Sequence, residues 1–159
     1  MAGTKLDPIN LRILEALQCH GRITNQELAE QVALSPSACL ARVRKLEADG
    51  IIPRYLADLA LDKIDHILEA FIEVTLENHS SPEVARFLKL VEEHPHMVSC
   101  HRVSGHYDYL LYVVAQDMPQ LRQVADALLE DGLGVAKIAT IPILDRIKAF
   151  PGYPLRRLF

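Results

Sequence analysis

Three helix starts are written into the first 36 residues of this 159-residue chain. Asp7 offers a side-chain oxygen to cap a helix opened by Pro8, where a missing N–H costs nothing. Leu6 and Leu11 take the flanking positions of a hydrophobic staple. Ile9, Ile13, Leu14 and Leu17 recur with helical spacing and form one apolar face. Gly21 stands where a left-handed C-cap is expected. Thr24 and Glu27 are spaced as a capping box, with Ile23 and Leu28 as a second staple. The helix they open runs over Asn25–Val32, and Ala33-Leu34 makes the turn. Ser35 caps a third helix that Pro36 opens and Gly50 ends, with Leu40, Val43 and Leu46 facing inward beside Cys39. Each cap contributes about 1 kcal/mol, so the turns are specified as firmly as the helices.

A short helix, a tight turn and a longer helix carrying Arg42, Arg44 and Lys45 have the spacing of a helix-turn-helix. In that motif the second helix enters the major groove with its N-terminal end toward the bases. Ser35, Ser37 and Ala38 lie at that end; they are small enough for close approach, and the hydroxyls can bond to bases or phosphates. Arg42 and Lys45 follow one and two turns later, and an Arg that grips guanine is worth about 1–3 kcal/mol of discrimination. The N–H groups that begin the two helices, around Thr24, Asn25 and Ser35, can hold phosphates. The candidate DNA-binding residues are therefore Thr24, Asn25, Ser35, Ser37, Ala38, Arg42, Arg44 and Lys45. A plain three-helix bundle with a solvated outer face fits the same spacing, since Glu47 and Asp49 share the helix, and helix periodicity alone leaves both readings open.

Charge narrows the partners. The formal net charge is −4, which argues against a generally basic coat but permits a local patch. Residues 1–55 hold seven Lys/Arg against six Asp/Glu, and residues 64–159 hold nine against thirteen, so the acid sits in the second part. Half the residues are hydrophobic, enough for a real core. Cys19, Cys39 and Cys100 are scattered with no CxxC, which suits a reducing compartment. The opening MAGTKLDPIN lacks the apolar stretch of a signal peptide. The longest apolar run, Tyr109 to Ala115, is far short of the ~20 residues that span a bilayer. A cytoplasmic protein without membrane contact is expected, in which the sequon Asn78-His79-Ser80 has no meaning.

After residue 66 the period changes. Leu68, Ala70, Ile72, Val74 and Leu76 alternate with Glu69, Glu73, Thr75 and Glu77, a half-buried strand on which only Phe71 breaks the polar side and offers a subunit contact. Ser81-Pro82 opens a helix with Val84, Phe87, Leu88 and Val91 on one face. Met97 to Val103 is extended, Ser104-Gly105-His106 turns, and Tyr107 to Ala115 is extended again. Asp117 caps a helix carrying Leu121, Val124, Ala125 and Leu128, and Val135 to Ile147 is a last strand. This order is the βαββαβ of a ferredoxin-like fold. Both helices on one face leave the other sheet face to be covered, and oligomerisation covers it. The expected fold is α+β, with a helix-turn-helix domain over 1–52, a linker over 53–66 containing an edge-forming Pro53, a ferredoxin-like domain over 67–150 and a tail over 151–159.

The residues TNQELAEQVALSPSACLARVRKLEADGII, followed by VSGHYDYLL, resemble the Lrp/AsnC family, the feast/famine regulators of bacteria and archaea. The resemblance runs from about Leu6 to Lys148 and is most specific in Leu34-Ser35-Pro36, Cys39, Arg42-Val43, Leu46-Glu47 and Gly50, then in Ser104-Gly105 and Asp108-Tyr109-Leu110-Leu111. It implies a winged-type helix-turn-helix that binds double-stranded DNA and a ferredoxin-like domain that forms homodimers and then larger rings, often octamers. It further implies a small effector, usually an amino acid, bound between subunits near Ser104, Gly105, His106, Tyr107 and Asp108, with Thr140 at a matching position. In this frame Cys39 is a core residue. The chemistry is reasonable: Asp108 can accept an ammonium, and backbone N–H groups around Ser104 to His106 can take a carboxylate, with Gly105 permitting close approach. A simple hairpin turn with Asp108 bonding locally fits the same residues.

The rival by class is an enzyme resembling the siroheme decarboxylases, which share the two-part architecture and use His and Arg. His94, His96, His101 and His106 lie close together with Arg102, but without ligand spacing to Cys or carboxylate. His94-Pro95-His96 reads as a solvated loop. No phosphate-binding loop, zinc-protease motif or nucleophile elbow is present. The expectation is a regulator, not an enzyme, with no cofactor, no metal and an effector of unknown identity. In the tail, Phe150, Tyr153 and three prolines or glycines suit packing on a neighbouring surface, and Arg156 and Arg157 could add a phosphate contact but are not counted among the site residues.

Overall fold

The computed structural model describes residues 6–77 and 81–159, so the Asn78–Ser80 sequon lies outside the described residues. In chain order the helices are α1 (Pro8–Cys19), α2 (Asn25–Val32), α3 (Pro36–Ala48), α4 (Ser81–Glu93), α5 (Met118–Ala127) and α6 (Leu155–Leu158). The strands are β1 (Leu68–Leu76), β2 (Met97–Arg102), β3 (Tyr109–Ala115) and β4 (Val135–Pro142), and Leu61–Lys63 forms a 3-10 turn. The chain divides into two compact units: Met1–Leu59 together with Lys148–Phe159, and Ala60–Ile147.

In the first unit the three expected caps all form. Asp7 Oδ1 accepts the Asn10 N–H at 2.7 Å, and Ser35 Oγ accepts that of Ala38 at 3.3 Å. Thr24 Oγ1 accepts the Glu27 N–H at 3.2 Å while Glu27 accepts the Thr24 N–H at 2.8 Å, a complete capping box. The Thr24 N–H, and then the Thr24 hydroxyl that also donates to the carboxylate at 2.8 Å, hold the Glu27 carboxyl below its ordinary range. The three helices close over Ile13, Leu28, Ala29, Val32, Cys39 and Leu46.

Two details differ from the periodicity. Leu40 is 38% exposed, not inward. Cys39, Val43 and Leu46 are the i, i+4, i+7 set that meets the core, and Leu40 lies ~100° around the helix from Cys39. Gly21 does not supply a left-handed cap; His20 ends α1 with φ −134°. Between α2 and α3 the left-handed position is taken by a residue with a side chain, Ala33 (φ 58°). Its strain, of order 1–2 kcal/mol for a residue with a Cβ, is offset by bonds from the Ala33 N–H to the Glu30 carbonyl (3.2 Å) and from the Leu34 N–H to the Ala29 carbonyl (2.9 Å).

The second unit is a four-stranded antiparallel sheet in the order β2-β3-β1-β4, the ferredoxin-like arrangement. Ala70, Ile72 and Val74 of β1 are fully buried, as are Leu111 and Val113 of β3 opposite them. Phe87 and Val91 of α4 and Leu121, Val124 and Leu128 of the α5 region pack into the same cluster, so both helices cover one face. Phe87 meets the Tyr109 ring at 4.9 Å. Leu88, expected on that inner face, is 43% exposed.

β4 stops at Pro142, short of the expected Ile147. Pro142 has no N–H for the ladder. One further bond follows, from the Ile143 N–H to the Glu69 carbonyl at 2.8 Å, and beyond it Leu144 and Ile147 are almost wholly exposed. Among the described residues no helix is long and apolar enough to cross a membrane.

Candidate DNA-binding and effector sites

The turn between α2 and α3 is braced at both ends. The Asn25 side-chain amide donates to the Pro36 carbonyl at 2.9 Å, tying the start of α2 to the start of α3. Ser35 Oγ caps α3 and lies 3.2 Å from Ser37 Oγ. Of the expected DNA-binding residues, Asn25 thus holds the motif's shape, Thr24 is engaged in its capping box, and Ser35 caps its own helix. Ser37, Ala38, Arg44 and Lys45 are exposed on α3, and Ala41, which periodicity did not single out, joins them. Arg44 and Lys45 make no ion pair with the described residues. Small side chains at the leading end and two unneutralised cations behind them form a surface that suits a polyanion.

Arg42, expected at the DNA, is turned to its own unit. Its Nη1 meets Asp7 Oδ2 at 2.5 Å and Asn10 Oδ1 at 3.0 Å, with the guanidinium half-buried. The Arg42 guanidinium and the Asn10 N–H hold the Asp7 carboxyl below its usual range. Asp7 therefore caps α1 and ties it to α3. We expect Arg42→Ala to cost about 1 kcal/mol, since a partly exposed pair is screened by water. Because Asp7 is more acidic folded than unfolded, the pair stabilises above the unfolded carboxyl value of ~3.9 and is lost as pH falls through the lower folded value. Thermal melts should show a gap of several degrees between wild type and Arg42→Ala at neutral pH that closes in acid; a pH-independent gap excludes the pair as its cause.

In the second unit the Ser104–Asp108 loop joins β2 to β3. Ser104, Gly105 and His106 are exposed, and Tyr107 and Asp108 half-buried. Gly105 has φ 155°, outside the range most side chains adopt, and a Cβ there would meet nothing within 4 Å. The loop is anchored at its base. The Val103 N–H donates to the Asp108 carbonyl at 2.9 Å, and the Asp108 N–H to the Val74 carbonyl at 2.8 Å. Asp108 Oδ2 accepts the Leu76 N–H at 2.8 Å. The carboxylate thus has a bond to the end of β1 that no local pattern announced.

Thr140 is not brought to this loop within one chain. It pairs with Ile72, four residues before Leu76 and so about 13 Å back along the strand.

The histidines are not a solvated loop. His96 Nδ1 lies 3.0 Å from the Val114 carbonyl and Nε2 3.2 Å from the Gln120 amide, while the His96 N–H reaches His94 Nδ1 at 3.3 Å. They pin the α4–β2 connection to β3 and α5. Burial, and then the neighbouring His96, lowers the His94 pKa. Among the described residues no group of three His, Cys, Asp or Glu could hold a metal ion. Burial pushes the Cys39 and Cys100 thiols up, away from thiolate chemistry.

The sheet face away from the helices carries Phe71 and Tyr112, directly paired with rings 5.8 Å apart, and Ile141 across from Phe71. Phe71 is 37% and Ile141 45% exposed. Tyr112 OH donates to Glu69, and Arg146 Nη2 meets the same carboxylate at 2.5 Å. Burial and the Glu69 carboxylate push the Tyr112 phenol up to about 12.

Residues 6–52 match the family model for a winged helix-turn-helix DNA-binding domain, and residues 69–153 match that of the Lrp/AsnC ligand binding domain. The chain belongs to the Lrp/AsnC family. It is 40% identical over 147 residues to the leucine-responsive regulatory protein of Escherichia coli strain K12, covering 92% of this chain and 89% of that one. Solved structures agree. A Neisseria meningitidis transcriptional regulator in complex with L-Met superposes with a TM-score of 0.87 at 37% identity, over 98% of this chain and 100% of that one. An AsnC family transcriptional regulator of Agrobacterium tumefaciens gives a TM-score of 0.86 at 28% identity, over 97% of this chain and 100% of that one. This Lrp/AsnC protein is therefore a transcriptional regulator with a DNA-binding and a ligand-binding domain, and its relatives are regulators, which sets the decarboxylase reading aside.

Proposed function

We propose that this regulator docks the outer face of α3 on duplex DNA, with Arg44 and Lys45 as its free cations and Ser37, Ala38 and Ala41 as its close-approach surface. The observation that carries this is the pairing of the three nearby cations: Arg42 is committed to Asp7, whereas Arg44 and Lys45 are exposed with no ion pair among the described residues. Thr24, Asn25 and Ser35 shape the motif, and the N–H groups at the starts of α2 and α3 face phosphates. Arg42 holds the domain together. The functional division is a DNA-binding part over 1–52, a linker over 53–66, and an effector and assembly part over 67–150.

The effector is an α-amino acid with an apolar side chain. The L-Met bound by the Neisseria regulator and the leucine in the name of the Escherichia coli relative support that class. The Asp108 carboxylate, which also accepts the Leu76 N–H, faces the ammonium, and N–H groups of Ser104 to His106 take the carboxylate. The Phe71, Tyr112 and Ile141 face pairs with a second copy, and dimers assemble to an octamer. Pairing multiplies a weak single contact into useful affinity. The protein acts in the cytoplasm, where its DNA is.

The test is fluorescence anisotropy with duplex from upstream of the protein's own gene, titrated with salt and then with L-leucine and L-methionine. Binding should weaken with a slope of about −0.9 in log K per log salt for each phosphate neutralised. One of the two amino acids should shift the curve. Absence of binding to this or random duplex at low salt sinks the DNA reading.

A further inference from the structure

The C-terminal segment is not a loose end. Lys148–Phe159 belongs to the same compact unit as α1, α2 and α3. Within that unit α1 grips it. The Gln18 side-chain amide donates to the Tyr153 carbonyl at 2.7 Å, and the Gln18 side-chain oxygen accepts the Tyr153 N–H at 2.8 Å. One side chain thus satisfies both main-chain groups of one residue, as a neighbouring strand would. Further along the tail, Arg156 Nε meets Glu15 Oε2 at 2.5 Å, and Glu15 lies about one helical turn before Gln18 on α1. Gly152 makes the approach possible: it has φ 97°, and a Cβ on it would lie 2.7 Å from Gln18 Cδ. Gln18 is not free to yield to such a Cβ, because moving its amide breaks both bonds to Tyr153.

The segment is built to dock at little entropic cost. Pro151 and Pro154 fix the backbone on either side of Gly152 and Tyr153, and each biases the residue before it, Phe150 and Tyr153, toward extended conformations. The rings of Phe150 and Tyr153 meet edge to face at 4.8 Å. A peptide stiffened in this way surrenders less freedom on binding. The three helices in turn gain a partner they need. Their core is small, and a unit of about fifty residues is marginal on such a core. Ala16 and Val32 of that core line a cleft that is also lined by Pro151, Gly152, Tyr153 and Pro154. The tail therefore walls the core where α1 and α2 end.

We propose that the face of α1 carrying Glu15 and Gln18 is a docking site for a Pro-Gly-Tyr-Pro peptide with an arginine two residues after it, and that its occupant is the chain's own tail. Gln18 recognises the main chain, Gly152 supplies the clearance, and Arg156 fixes the direction by reaching Glu15. The DNA-binding unit is then discontinuous in sequence: the helix-turn-helix near the start of the chain is completed by residues from its far end. This holds whichever residues of α3 meet the duplex.

Hydrogen exchange by mass spectrometry tests it, on the full-length protein, on full-length Gly152→Val, and on a chain shortened by residues 148–159. The changes lie far in sequence from α1, so they leave its intrinsic exchange untouched. The last turn of α1, amides 16–20, should exchange roughly threefold faster or more in both variants, a low bound for losing two hydrogen bonds, while β1 stays within about twofold of the wild type. Unchanged α1 rates overturn the docking site. Rates that rise as much in β1 as in α1 mark a general loosening and overturn it too. A synthetic peptide of residues 148–159 is then added to the shortened chain at about 1 mM, near the effective concentration of a tethered segment. It should return the α1 rates to those of the full chain, and the same peptide with Gly152→Val should not. Failure of the first peptide, or equal action by both, overturns the recognition. If the shortened chain does not fold, both peptides are added to full-length Gly152→Val instead, with the same readings. In the wild type the protection of α1 should not change on dilution; protection lost on dilution assigns the site to the tail of a second copy and overturns the chain's own tail as occupant.

Discussion

Arg44→Ala with Lys45→Ala should weaken duplex binding roughly thirtyfold for each α3 engaged at about 0.15 M salt, the product of two phosphate contacts at about 0.9 log units of K per log unit of salt. The logarithmic salt slope should fall by about two per engaged helix. Stability should hardly change. Both side chains are exposed and take part in no ion pair among the described residues, so their removal leaves no stranded charge. Arg42→Ala is the internal contrast: it lies in the same helix and carries the same charge, yet should lower the melting temperature with a smaller effect on the salt slope. The pair of measurements separates a cation aimed at DNA from one aimed at Asp7. A salt slope unchanged by the double substitution, with binding intact, places the phosphate contacts elsewhere. A slope that collapses in Arg42→Ala with no loss of stability reverses the assignment.

Asp108 should divide into two roles under two substitutions. Its carboxylate accepts the half-buried Leu76 N–H and carries a negative charge. Asp108→Asn keeps an acceptor for Leu76 and removes the charge that an effector ammonium needs. It should leave the fold and effector-free duplex affinity in place and reduce amino-acid affinity by at least about thirtyfold, the ~2 kcal/mol lower end for a desolvated charge pair cut at one partner. Asp108→Ala removes both functions. It strands the Leu76 N–H, a loss of about 1–3 kcal/mol, and should lower the melting temperature as well. Calorimetry with L-leucine and L-methionine, beside thermal melts, reads both. If Asp108→Asn binds either amino acid as the wild type does, the carboxylate serves only the hairpin.

How much of this could be seen beforehand depended on range along the chain. Helix starts were legible because Asp7, Thr24 and Ser35 bond to N–H groups three residues away, and such signals survive any tertiary arrangement. The β1 alternation was legible because its period of two is a property of one strand, with Ala70, Ile72 and Val74 on the helix side and Phe71 on the other. The helix-turn-helix motif, the βαββαβ order and the family followed from those local signals in sequence. What they do not contain is the partner of a long side chain. Arg42 and Lys45 have the same charge and propensity; only a carboxylate 35 residues earlier, brought alongside by packing of α1 on α3, separates them. Leu40 was assigned inward because its spacing is helical, but which 100° sector faces the core is set by the neighbouring helices.

The last strand shows the same limit at an edge. The apolar pattern continues to Ile147, yet the β1–β4 ladder ends at the Ala70–Pro142 pair, where Pro142 has no N–H, and only the Ile143 N–H bonds further on to Glu69. Gln18 and Tyr153 lie 135 residues apart, and no short-range pattern links them. The sequence by itself determined the elements, their order, their inner faces in outline and the family. Tertiary structure alone decided which charges are spent within the fold and which stay exposed, that Asp108 is bonded to β1, and that the tail returns to α1. The physical reason is that capping and periodicity are satisfied within a few residues, whereas an ion pair or a clasp exists only after distant segments have been brought together.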